Sequence, residues 1–225
     1  MFHDRFEVKL FGEGTIRGVG GLRIIDTECM TSVPGLYAAG DAATREHIAG
    51  ASSGGGAQNA AWALSSGVLS GEGAARTALR NKKRHSQLRP LGGAGLRPLQ
   101  SVSPLDKSDI IRTAQQEILD PGKALWRNEK NLKNSQDRLD SAWTDVCNHL
   151  YDTGLNIIAA RETAAMAATA RWCNAAAQAR RESRGMHVRD DYPLMSPEFE
   201  SHILVDGLEN IRIRKENPSV MELRS

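Results

Sequence analysis

The sequence predicts a mixed chain: an α/β portion over residues 1–79, a basic linker over 80–102, an all-α three-helix bundle over 103–185, and a polar clasp with a short β-hairpin over 186–225. Three observations carry this reading. The apolar run Leu36-Tyr37-Ala38-Ala39 follows Val33-Pro34-Gly35 and stops at Gly40-Asp41, the pattern of a short buried strand that ends in an acid. Leu125, Leu132, Leu139 and Val146 recur at heptad spacing, which calls for an amphipathic helix. Near the end, two alternating segments flank Asp206-Gly207, the signature of a hairpin.

Taken in order, Phe6–Phe11 alternates as a strand, and Leu22-Arg23-Ile24-Ile25 reads as another. Between them, Gly12-Glu13-Gly14-Thr15-Ile16-Arg17-Gly18 superficially matches a dinucleotide-binding GxGxxG turn. No helix-forming run follows, so it reads as a glycine-rich turn between strands. The strand ending at Gly40-Asp41 points a carboxylate at a polar ligand. Gly40 lets backbone lie close to that ligand, and Asp41 can accept hydrogen bonds from sugar or ribityl hydroxyls. Gly50-Ala51-Ser52-Ser53-Gly54-Gly55-Gly56 then forms a loop without bulk, and a small-residue helix runs from about Ala57 to about Leu79. A glycine loop opening a helix presents unpaired N–H groups and the positive end of the dipole, which suits an anionic or electron-rich acceptor. Together these features make half of a cofactor site.

The linker holds Arg80, Lys82, Lys83, Arg84 and Arg89 without acidic partners, and Pro90, Gly92, Gly93, Gly95 and Pro98 break regular structure. It carries no aromatic interleaving, so it reads as an exposed connector and not as a nucleic-acid patch. Ser103-Pro104 opens the first bundle helix and Asp120-Pro121-Gly122 stops it. The second helix spans about Lys123 to Tyr151, and an alanine-rich third runs from about Leu155 to Arg184, ended by Gly185. Short breaks make neighbouring helices antiparallel, hence a bundle. Trp126, Trp143, Met166 and Trp172 read as packing residues. The dense run His187, Arg189, Asp190, Asp191, Tyr192 reads as a salt-bridged, Tyr-anchored clasp between domains.

With 225 residues and a net charge of +2, the chain can bury a core but carries no global field for nucleic acid or membrane. Cys29, Cys147 and Cys173 are widely spaced, which speaks against a disulfide scaffold, a metal site or an iron–sulfur cluster and for a reducing compartment. There is no run long enough to span a bilayer, and the expected location is cytoplasmic.

The stretches Gly20–Asp26, Val33–Asp41 and Gly54–Ala60 resemble the second FAD-contacting region of flavoproteins of the succinate dehydrogenase/fumarate reductase family, which includes L-aspartate oxidase and the adenylylsulfate reductase alpha chain. Arg181–Pro193 resembles the segment that closes that family's C-terminal helical domain. The resemblance therefore implies the C-terminal part of an FAD-dependent oxidoreductase, with residues 1–79 the remnant of its FAD-binding domain. It places Gly40 and Asp41 toward the ribityl and pyrophosphate side of FAD. It places Gly55, Gly56, Ala57 and Gln58 toward the flavin ring's carbonyl edge. The pyrophosphate-binding GxGxxG turn is absent from this sequence, so the cofactor site is incomplete.

The substrate side departs from the family. A histidine and an arginine that bind the dicarboxylate fall, by the resemblance, near Ile16 and on Ser53, so dicarboxylate chemistry does not carry across. Arg45 and His47 are the substitute candidates for catalysis, although a solvated polar loop accounts for them as well. The implied partner is an N-terminal flavoprotein half or an electron-transfer subunit, and the chain alone is expected to be inactive. The alternative is a non-enzymatic interaction module or a truncated remnant of such a flavoprotein.

Overall fold

The computed structural model describes residues 20–45, 56–81, 105–150, 152 and 156–216. The expected strand at Phe6–Phe11, the loop at 50–55, nearly all of the basic linker and the Ser103-Pro104 cap lie outside these residues. The chain divides into two compact units, Arg17–Pro90 and one that contains Leu91–Ser225.

In the first unit, helix α1 (Gly56–Arg80) buries one stripe against the extended segment 20–45. The stripe is Trp62, Ser66, Ser70 and Gly73, one residue per turn. Trp62 joins Cys29, Ala38 and Ala43 in a small core against which Ile24 packs. The two strands expected here form only isolated bridges: Leu22 with Ala43, Ile24 with Thr31 and Met30 with Tyr37. Asp26 explains the interruption. Its Oδ1 accepts from the Glu28 and Met30 amides, at 3.0 and 2.9 Å, and curls the chain into a turn around Cys29, whose φ is +58°.

Gly73 sits where α1 presses on that segment. A Cβ there would lie 2.7 Å from Tyr37 Cε1 and 2.9 Å from Glu28 Oε2, whereas at Gly71 it would meet nothing within 4 Å. The same change therefore has opposite signs two residues apart. Gly71→Ala should stabilise by up to ~1 kcal/mol through helix propensity. Gly73→Ala should destabilise by about 1–3 kcal/mol through overpacking, read as opposite shifts of the denaturation midpoint.

The second unit is a three-helix bundle of α2 (Lys107–Ile118), α4 (Glu129–His149) and α5 (Asn156–Ala179), with a single-turn helix α3 (Pro121–Ala124) between the first two. The starts of α2, α3 and α4 are each capped by a side chain. Asp106 accepts from the Ser108 amide, Asp120 from the Gly122 amide and Asn128 from the Asn131 amide. The expected second helix thus starts six residues late. Asp120-Pro121-Gly122 ends α2 as expected, but it also opens α3, so Leu125 and Trp126 fall in a break. Leu132, Leu139 and Val146 are the heptad members that remain on α4, all buried.

The core joins Ile110, Trp143, Val146 and Leu150 to Ala160, Ala164, Ala167 and Ala168, the small side chains of α5 letting its backbone come close. Trp143 is buried as expected, while Trp126 and Met166 are exposed. Glu117 is the buried polar hub. It accepts from Lys123 Nζ and Ser135 Oγ, at 2.8 and 2.6 Å, and from Arg138 Nη1 at 3.0 Å, tying α2 to α3 and α4.

Helix α5 ends at Ala179, not at Gly185, and residues 180–199 form the clasp. Gly185, with φ +59°, instead makes the tight turn between Arg184 and His187. The hairpin pairs β1 (Ile203–Asp206) antiparallel with β2 (Arg212–Lys215), Ile203 opposite Lys215 and Asp206 opposite Arg212. Asp206 therefore belongs to the strand, and the loop runs from Gly207 to Ile211. Helix α5 holds that loop: Trp172 Nε1 donates to Gly207 O at 2.7 Å and Arg171 Nη1 to Leu208 O at 2.5 Å.

Candidate functional site

The expected cofactor residues Gly40 and Asp41 open a 3₁₀ turn, Gly40–Ala42, directly after the extended residue Ala39. Gly40 has φ +58°, a backbone state that disfavours any side chain. Both of its backbone polar groups are taken by α1. Trp62 Nε1 donates to Gly40 O at 2.9 Å, and the Gly40 amide donates to Ser66 Oγ at 2.9 Å. Ser66 is fully buried, and its hydroxyl donates in turn to Trp62 O at 2.5 Å. Behind the turn, a Cβ at Gly21 would lie 2.8 Å from Ala42 O and Ala43 C, so this position of the Gly20-Gly21 pair keeps the turn seated.

This geometry turns the Asp41 carboxylate outward, with its side chain 87% exposed. Arg45 Nη1 donates to Asp41 Oδ1 at 2.7 Å, leaving the second carboxylate oxygen facing solvent. Arg45, expected in a solvated loop, has a side chain only 9% exposed and acts as the partner that fixes the acid. His47 and Gly55 lie outside the described residues. Gly56, Ala57 and Gln58 form the first turn of α1, where backbone N–H groups have no partner within the helix. The structure thus brings Gly40-Asp41 and α1 into one assembly, but does so through Trp62 and Ser66, which sequence reasoning missed. Their signal was present as spacing: a buried-prone indole and a hydroxyl at i and i+4 on a helix rich in small residues.

The clasp is organised around Arg189, whose side chain is fully buried. It donates to Asp191 through Nε and Nη2, at 2.7 and 2.8 Å, and to Glu129 Oε2 at 3.0 Å. Its Nη1 reaches Ala177 O and Gln178 O, each at 3.2 Å, and Tyr192 lies beneath the guanidinium at 5.0 Å. The expected salt bridges and Tyr192 contact are present, but these partners of Arg189 come from the helical unit itself, so they make a clasp within that unit and not the expected one between domains.

Glu182, also fully buried, is pushed up by burial. Hydrogen bonds from Arg184, the Ser196 amide and Arg180 outweigh that and bring it down to about 2. His187 is driven the other way by burial, reinforced by the charges of Arg127, Arg180 and Arg189, down to about 4. Its Nδ1 lies 2.7 Å from Arg127 Nη1 and its Nε2 3.0 Å from Arg180 O. A guanidinium can only donate, so His187 is neutral with the proton on Nε2. The chemistry of these groups is structural. Among the described residues, no group of three or more His, Cys, Asp or Glu could hold a metal ion, and no helix is long and apolar enough to cross a membrane.

The family model described as the fumarate reductase flavoprotein C-terminus matches residues 112–223. No curated protein matches the chain in direct sequence comparison. Among solved structures, an E. coli quinol fumarate reductase FrdA variant is similar at TM-score 0.65 and 20% identity, over 88% of this chain and 36% of that one. Mycobacterium smegmatis Sdh1 in complex with UQ1 is similar at TM-score 0.58 and 24% identity, over 88% of this chain and 35% of that one. The apo form of the Sdh1 complex gives TM-score 0.56 and 24% identity, over 84% and 33%. The chain therefore spans about a third of the length of these structures, and the likeness is one of fold.

Proposed function

Because the chain belongs, through residues 112–223, to the C-terminal part of the fumarate reductase/succinate dehydrogenase flavoprotein family, we propose that it supplies the ribityl and ring-edge half of an FAD site in an oxidoreductase. The observation that carries this is the Gly40–Ala42 turn, which holds the Asp41 carboxylate outward beside a helix that starts at Gly56. A carboxylate fixed on one side by Arg45 and open on the other suits hydroxyl groups, as a ribityl chain presents. The N–H groups of Gly56, Ala57 and Gln58 suit the electron-rich carbonyl edge of a flavin ring. FAD, when bound, would supply the hydride chemistry; this chain's residues would bind and orient it.

The open side of α1 supports a larger domain around this unit. Leu64, Val68 and Leu79 are more than 60% exposed, an apolar face that a completed flavin domain would cover. We place the remaining FAD contacts, including the pyrophosphate turn, in an N-terminal flavoprotein half, and electron delivery in a partner subunit. On this reading the isolated chain is inactive, works in the cytoplasm, and does not rely on a dicarboxylate clamp at Ser53. The rival reading, a non-enzymatic interaction module, draws on Met186, Leu194 and Met195, all more than 60% exposed beside the clasp.

The two readings separate on Asp41→Ala. As a cofactor ligand, its loss should weaken flavin binding in the reconstituted protein by about tenfold, the worth of one charge-assisted hydrogen bond. An unchanged flavin affinity, with the variant folded, favours the interaction module.

A further inference from the structure

Gly40 and the start of α1 are the two elements of the proposed half-site, and they come from chain segments separated in sequence by residues 46–55. What holds them together is specific. One indole N–H takes the Gly40 carbonyl and one hydroxyl takes the Gly40 amide, both from adjacent turns of α1. Ser66 is fully buried and Trp62 nearly so, which limits competition from water for two bonds made to a half-buried Gly40. The clamp grips the residue whose positive φ sets the direction of Asp41, while Arg45 sets that carboxylate's rotation.

We propose that Trp62 and Ser66 are positioning residues for the cofactor: they lock the Asp41-bearing turn to α1, so that the acid and the helix N-terminus meet one flavin at a fixed separation. This inference rests on the FAD reading above. A clamp of this kind acts by pre-organisation, since a turn free to swing on α1 would lose that freedom only on binding.

The clamp has an internal control. Ser70 lies one turn beyond Ser66 on the same buried stripe, but its hydroxyl donates at 3.2 Å to Gly67 O within the helix and does not reach the turn. A purely structural role would make Ser66→Ala and Ser70→Ala behave alike.

The test is amide hydrogen exchange on the full chain associated with an N-terminal flavoprotein half, with and without FAD, comparing wild type with Trp62→Phe, Ser66→Ala, Ser66→Thr and Ser70→Ala. In wild type, FAD should slow exchange at Gly40–Ala43 and in the first turn of α1. Ser66→Ala and Trp62→Phe should exchange at Gly40–Ala43 about tenfold faster without ligand and lose most of the FAD-induced slowing. Ser66→Thr should restore both, and Ser70→Ala should keep both. FAD-induced slowing that survives in Ser66→Ala and Trp62→Phe would overturn the clamp and leave the FAD reading standing. Equal losses in Ser66→Ala and Ser70→Ala would also overturn it. No FAD effect in the associated wild type would overturn the FAD reading and the clamp with it.

Discussion

Arg189→Ala is expected to cost the helical unit about 3–5 kcal/mol, the range for removing one partner of a buried ionic network. The guanidinium is fully buried and satisfies four groups at once: the carboxylates of Glu129 and Asp191 and the last carbonyls of α5 at Ala177 and Gln178. Its removal leaves two carbonyls at a helix C-terminus without a donor and two acids facing one another. Tyr192 also loses its stacked cation. Arg189→Lys should recover little, because an ammonium cannot place donors in five directions or lie flat on the ring. Denaturant unfolding followed by helical circular dichroism measures both. A loss below ~1 kcal/mol for Arg189→Ala would show that the network is not what closes the bundle.

Acidification should weaken the same unit in two separate steps. His187 has a folded pKa of about 4, below its ordinary 6.5. Between those values the unfolded chain binds the proton more readily, so stability falls as pH drops through that window and recovers as pH rises. The cause is burial first, then the facing charges of Arg127, Arg180 and Arg189. Glu182 and Asp191 sit at about 2, below their ordinary 4.5 and 3.8. The stability they contribute is present above the ordinary values and is lost as pH falls toward about 2. For Asp191 the hydrogen bonds from Arg189 lead. For Glu182 the bonds from Arg184, Ser196 and Arg180 overcome the opposing burial. His187→Gln keeps an acceptor for Arg127 and a donor for the Arg180 carbonyl but cannot titrate. The variant should flatten the upper step and leave the lower one, in a series of unfolding midpoints from neutrality down. An unchanged upper step in His187→Gln would assign it to another group.

The bundle was legible because helical periodicity is a local property: Leu132, Leu139 and Val146 declare a buried face wherever the helix begins. Its boundaries were less so. Asp106, Asp120 and Asn128 each cap a helix, and a sequence with several capping residues in a short span does not say which are used. The strands of the first unit were misjudged because alternation at Leu22–Ile25 competes with Asp26, whose side chain captures two amides and makes a turn. Arg45 was misread for a related reason. A charged residue in the polar run Arg45-Glu46-His47 reads as solvated until its i−4 acid, Asp41, is seen to hold it. Gly40-Asp41 was singled out from the residue types, as the end of a strand and not as a 3₁₀ turn. The Trp62–Ser66 grip on it was not, since it depends on which stripe of α1 faces the turn.

The most direct test of the half-site is the visible absorption spectrum of the purified chain with added FAD, recorded alone and after mixing with the N-terminal half of an FrdA-type flavoprotein, with association of the halves verified by co-elution. The expected result is little or no bound-flavin band from the chain alone and a band when both halves are present, weakened by Asp41→Ala. Stoichiometric flavin on the chain alone would contradict the incomplete site, and no band from associated halves would contradict the FAD site altogether.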